Sequence, residues 1–204
     1  MSRASKAAGP GAPWVEGQPD GSDLQRASRD FLTALALPEA GDMLDASSKR
    51  MAEAWSEDLL AGYRVDPASV VTSFPVGDDQ ATVVVRDVEF TSFCVHHLLP
   101  FFGRAHLAYL PGERLTGISK LARLVNVLSR RLQIQERMTR QILDVMEESL
   151  QPQGAAVVVE AEHLCMTARG VRGRDSRVMT TAWSGRFEDP TEQRVLLEML
   201  RISR

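Results

Sequence analysis

The chain has only two cysteines and four histidines among 204 residues. Two cysteines, Cys94 and Cys165, are too few for a disulfide-held scaffold. In a reducing compartment a metal or catalytic use suits them better than a bridge. No apolar run approaches the roughly 20 residues that crossing a bilayer requires, so no membrane partner is expected. The opening stretch, MSRASKAAGPGAPWVEGQPDGSD, has no apolar core of the signal-peptide kind, and the expectation is a cytoplasmic protein. A large charge excess is also missing, since the formal net charge is -3.

The distribution of charge says more than its sum. Residues 1–90 carry 8 Lys+Arg against 15 Asp+Glu, whereas residues 91–187 carry 13 against 8. A basic segment within an acidic protein points to a small anionic ligand rather than to a long nucleic acid. A solvated basic face is the plainer alternative. Hydrophobic residues at 44% and charged residues at 25% are ordinary for a globular protein, and the length suits one domain with an added N-terminal piece.

Residues 1–20, with several Gly and Pro and little apolar material, read as a disordered arm. Residues 21–80 read as a helical region. One helix is expected from Ser22 to Leu37 on the stripe Leu24, Phe31, Leu32 and Leu35. A second is expected from about Ser47 to Ala61 on Met51, Ala54, Trp55 and Leu59, with Gly62 as its stop. From residue 81 the period changes. Ala81–Phe93 and Arg104–Leu110 read as strands, joined by a loop holding Pro100 and Gly103. Two helices follow, on Leu121, Leu124, Val125 and Leu128 and on Met138, Ile142, Val145 and Met146. Ala155–Met166 and Ser176–Phe187 read as two more strands, and Thr191–Ile202 as a closing helix. The order ββααββ over 81–204 predicts an α+β fold, a four-strand antiparallel sheet with two helices on one face. The uncovered face and edges of such a sheet call for oligomerisation.

Three of the four histidines and both cysteines fall in two short segments, Cys94-Val95-His96-His97 and His163-Leu164-Cys165. On a strand, His163 and Cys165 would share one face. At a strand end, a turn brings Cys94 and His97 together. Cys and His are favoured zinc ligands, and three of them leave a fourth tetrahedral position for water. Histidines outside the ligand set become candidates for proton transfer. Spacing leaves open which histidines bind metal. His106, outside both segments, reads as structural.

Candidate anion binders lie around these segments. Ser119 and Lys120 open a helix, where free N–H groups favour anions, and Arg123 follows one turn on. Arg169, Arg172, Arg174 and Arg177 follow the second segment; the last three read individually as surface charge. Gln135 and Glu136 open the second long helix. A carboxylate there can accept two parallel hydrogen bonds from a donor–donor edge such as that of guanine.

The stretches FTSFCVHHLLPFFGRAHLAYLP, GISKLARLVNVLSRRLQIQERMTRQI and VVVEAEHLCMTARGVRGRDS resemble GTP cyclohydrolase I, as do SRVMTTAWSGRF and KRMAEAWSEDLLAGY. The likeness runs over about residues 45–200. It implies the tunnelling fold, in which subunit sheets join into an oligomeric barrel, usually a homodecamer. It also implies conversion of GTP to 7,8-dihydroneopterin triphosphate and formate, at the entry to folate or other pterin pathways. Carried over by motif, zinc falls to Cys94, His97 and Cys165, and proton transfer to His96 and His163. The guanine edge falls to Glu136 and the Gln135 backbone, and the triphosphate to Ser119, Lys120, Arg123 and Arg169. Arg50 matches a position that reaches a neighbouring subunit's pocket. One departure from the family matters: Val95 stands where the motif Cys-Glu-His-His has its acid. This removes a negative charge beside His96 and predicts slower turnover or an accumulated ring-opened intermediate. A relative that opens another purine nucleotide, one that stops at the formamidopyrimidine, and an inactive nucleotide-binding member are the alternative readings.

Overall fold

Strand β6 (Gly154–His163) carries the run Ala155–Val159, apolar at every position, and is buried on both faces over that length. It lies in the middle of the computed structural model, which describes residues 21–36, 43–77, 81–173 and 175–201. The arm expected over residues 1–20 and the candidate Arg174 lie outside the described residues.

The chain runs through α1 (Gly21–Ala34), α2 (Leu44–Glu53), β1 (Ser73–Pro75), β2 (Val83–Cys94), β3 (Pro100–Leu110) and β4 (Arg114–Thr116). It continues through α3 (Ile118–Ser129), β5 (Leu132–Gln133), α4 (Gln135–Leu150), β6, α5 (Leu164–Thr167), β7 (Val178–Gly185) and α6 (Pro190–Arg201). The main sheet has the order β5-β2-β3-β6-β7. Its four long strands pair antiparallel, and β5 adds a two-residue parallel bridge, Phe93↔Leu132 and Cys94↔Gln133. The architecture is therefore α+β with a mixed sheet. The expected purely antiparallel sheet of four strands is one short strand too simple. Two residues carry no detectable period, which is why β5 escapes a pattern-based reading. A second small sheet, β1 with β4, also went unforeseen.

Three boundaries move for physical reasons. Pro100 and Gly103, expected in a loop, lie within β3. Proline is tolerated at a first strand position. Gly103 is required because a Cβ there would overlap the Glu160 carbonyl of β6. The expected strand Ala155–Met166 stops at His163, and α5 begins at once. The second N-terminal helix is α-helical only to Glu53 and continues as a π-helical turn over Ala54–Leu59, whose Trp55 packs on Phe93 with ring centroids 4.9 Å apart.

Helices α3 and α4 cover one face of the sheet. Leu121, Leu124, Leu128, Met138, Ile142 and Met146 are fully buried there against Leu107, Val157 and Val159. Truncating one of these leucines to alanine would cost about 2–5 kcal/mol. On the opposite face α6 covers only one end, where Leu196 and Phe187 pack on Ala108 and Ala156. The rest of that face is charged and open. The N-terminal region is tied to the sheet domain by Val71 in the main core and by Gly62 N–H, which donates to Arg130 O at 3.0 Å.

Candidate metal centre

Period-two burial along β2 puts Phe90, Ser92 and Cys94 on the core side. The chain then reverses over residues 95–99. Leu98 N–H donates to Cys94 O at 2.8 Å, Cys94 N–H donates to Leu99 O at 2.9 Å, and Leu98 takes a φ of 54°. This tight return places His97 Nδ1 3.7 Å from Cys94 Sγ. Register brings in the second segment, since Phe101 at the start of β3 pairs with His163 at the end of β6. Cys165, one step into α5, thereby reaches the same place.

The donor atoms of Cys94, His97 and Cys165 all lie within 4.8 Å of one another. A tetrahedral zinc ion with bonds of about 2.0–2.3 Å needs donor–donor edges of about 3.3–3.8 Å. One edge already has that length, and the others need only a small closure. Burial, then the neighbouring Cys94 thiol, push the Cys165 thiol up from its ordinary value, against the pull of Arg169. A cation held between the two sulfurs would favour their thiolate form. The residues fit zinc. Spacing left open which histidine joins the cysteines. His96 Nδ1 approaches Cys94 Sγ at 3.9 Å, but only His97 joins the three-donor group. The expectation that His163 and Cys165 share a strand face is corrected: the strand ends between them, and a single helical turn delivers the cysteine.

His163 is held instead by Gln135. Its Nε2 lies 2.7 Å from Gln135 Oε1, and its ring stacks on Phe101 at 4.6 Å between centroids, tilted by 4°. The Gln135 amide cannot be reversed. Its Nε2 donates toward Val159 O, Val178 O and Thr180 Oγ1 at 3.0–3.1 Å, and a reversed amide would set oxygen against two carbonyls. Oε1 therefore accepts, His163 carries its proton on Nε2, and Nδ1 is the basic nitrogen. Burial lowers the His163 pKa from its ordinary value, while the charge of Glu136 raises it. The buried Gln135 side chain, Phe101 and Thr180 were invisible in the sequence as parts of a site, because nothing in their spacing differs from core residues.

Glu136 is exposed in the first turn of α4, beside free helix N–H groups. Arg169 is exposed close enough for its charge to act on Cys165. Ser119, Lys120 and Arg123 form the first turns of α3, with Ser119 and Arg123 exposed. Ser119 stands apart from the Cys-His-Cys group of its own chain. The C-terminal end of α3 is the end near Cys94, through Ser92 Oγ donating to Arg131 O and the β2–β5 bridge. Ser119 is ten residues back along the helix, about 15 Å away. The structure likewise does not bring Arg50 to the cluster: it is exposed on α2, which packs on α1 and the π-helical turn. His106 has a structural place, its Nδ1 accepting from Asp87 N–H at 3.2 Å where β2 bulges against β3.

An α+β fold whose mixed sheet carries a Cys-His-Cys group beside an oriented histidine fits an enzyme with a metal site. The GTP cyclohydrolase I family profile matches residues 24–201, and the chain belongs to that family. It is 43% identical over 171 residues to GTP cyclohydrolase 1 of Deinococcus radiodurans, spanning 83% of this chain and 79% of the relative. It is 43% identical to the Thermobifida fusca protein of the same name, over 84% of this chain and 83% of the relative. To that of Streptococcus thermophilus it is 44% identical, over 87% and 96%. No helix among the described residues is long and apolar enough to cross a membrane.

Proposed function

We propose that the chain hydrolyses and rearranges GTP to 7,8-dihydroneopterin triphosphate and formate, in the cytoplasm, as a zinc-dependent homo-oligomer of the tunnelling fold, with ten subunits. The observation that carries this reading is the convergence of Cys94, His97 and Cys165 beside the Gln135–His163 pair, in a chain of this family. Those three residues would hold zinc, which would supply an activated water at neutral pH.

The remaining roles belong to the chain's own side chains. His163, kept neutral by burial and fixed in one tautomer, exchanges protons at Nδ1 with the purine ring as it opens. His96, exposed on the same turn as His97, is the second proton carrier. Glu136 accepts from guanine N1–H and the 2-amino group, with the Gln135 backbone N–H on the 6-oxo group. Arg169 would supply positive charge to the triphosphate. The separation of about 15 Å between Ser119 and the Cys94 end of α3 supports a shared pocket, in which Ser119, Lys120, Arg123 and Arg50 serve a neighbouring subunit's metal. In such a barrel the exposed backbone edges of the sheet would pair between subunits.

Purified protein given GTP should release formate and form the pterin triphosphate in equal amounts. Inosine triphosphate, which lacks the 2-amino donor, should be a poor substrate, because Glu136 then loses one of its two hydrogen bonds. Formate without pterin would identify an enzyme that stops after ring opening, and neither product would identify a binding protein.

A further inference from the structure

Val95 lines a cavity of about 180 Å³ with Tyr63, Arg131, Gln133, Arg137 and Gln141, beside the turn that carries the metal histidine. Arg131 and Arg137 both line it, and neither has a carboxylate within ion-pair distance among the described residues. Arg131 is 4% exposed; its Nε donates to Gly62 O and its Nη2 to Val65 O, both at 3.0 Å, and it lies over the Tyr63 ring. Arg137 Nε donates to Gln133 Oε1 at 3.0 Å and its Nη2 to Leu132 O at 2.7 Å. Every one of these acceptors is neutral. Asp66, whose charge acts on Arg131, is engaged by Ala68 N–H at 3.1 Å. Arg131 Nη1 has no hydrogen-bond acceptor among the described residues.

We propose that this cavity binds a small carboxylate, of the size of formate or acetate, between Arg131 and Arg137. Guanidinium forks match carboxylate oxygens, and Val95 supplies an apolar wall for the C–H or methyl end. Arg131 is buried and its hydrogen bonds go only to neutral acceptors, so a counter-ion from solution is favoured beside it. The position also gives Val95 a meaning. A glutamate at 95, as in the Cys-Glu-His-His motif, would carry its own carboxylate to this place, whereas valine leaves the place to a ligand. The cavity is coupled to the metal turn, because Val95 N–H donates to Gln133 O at 3.0 Å and Gln133 pairs with Cys94 in the β2–β5 bridge. An occupied cavity therefore stiffens the turn bearing His96 and His97. The site stands whether or not the chain turns over GTP.

The test is thermal unfolding of the full chain in sodium formate or sodium acetate against sodium chloride at equal ionic strength. With the carboxylate at several times its Kd, Tm should rise by about 2–4 °C. Arg137→Met and Val95→Glu should each abolish the rise, and Val95→Glu should melt higher than the natural protein in chloride. Should Arg137→Met fail to fold, Val95→Glu decides alone. Formate held at the metal would still raise Tm in Val95→Glu, and that result overturns the proposal. An absent shift in the natural protein, or a lower Tm for Val95→Glu in chloride, overturns it as well.

Discussion

His163 is bound to Gln135 through Nε2 and Oε1 at 2.7 Å, and the glutamine is in turn locked by two strand carbonyls and Thr180. The sheet thus dictates the tautomer of a candidate proton carrier. Gln135→Leu should lower kcat by about 10- to 100-fold, as is typical when an orienting partner is lost, with zinc content unchanged. Gln135→Glu keeps an acceptor but adds a negative charge, which favours the protonated imidazole. The acidic limb of its kcat/KM profile should therefore move to higher pH. An unmoved profile would leave Gln135 with a packing role only.

Separation within the subunit gives a complementation prediction. Arg123→Ala removes a candidate triphosphate contact, and Cys165→Ser removes a candidate metal ligand. If pockets are shared, each single variant should be nearly inactive. Subunits of the two variants, unfolded together and reassembled, should then recover a clear fraction of natural activity, because some pockets receive both intact halves. Activity no greater than the sum of the separate variants would show that each chain builds its own pocket.

His106 makes stability depend on pH. Burial is the largest influence on it and lowers its pKa, while Asp87 and Glu160 oppose that and Arg86 and Arg104 reinforce it. Its folded pKa thus lies below the ordinary histidine value of about 6.5. As pH falls below that value, the unfolded chain takes up a proton that the folded chain resists, and stability is lost. Tm should fall between pH 7.5 and 5.5. His106→Asn, which keeps an acceptor for Asp87 N–H but does not titrate, should flatten the fall. Some slope should remain, since His163 is shifted in the same direction.

The sequence carried the helix and strand order well where periodicity was long, as in α3 and α4, and the two Cys/His segments stood out by composition alone. Three things were not readable. A strand end between His163 and Cys165 leaves no mark in so short a stretch, so the route of Cys165 to the metal was misread. The Gln135 side chain does its work through strands 24 and 43 residues away, a relation no local pattern encodes. Val95 was weighed against its sequence neighbour His96, whereas the fold sets it in a cavity with Arg131 and Arg137. Side-chain direction on a tight turn depends on the backbone, and Leu98 with its positive φ shows how far that turn departs from a regular strand.

The central claim is that Cys94, His97 and Cys165 hold one zinc ion that the reaction requires. The most direct measurement follows formate and pterin from GTP in the natural protein as purified, after chelation, and after zinc is restored, beside Cys165→Ser with its metal content determined. About one zinc per subunit is expected, with both products lost on chelation and regained with zinc, while Cys165→Ser lacks metal and activity. Full zinc content with normal product formation in Cys165→Ser, or undiminished turnover in metal-free protein, would contradict it.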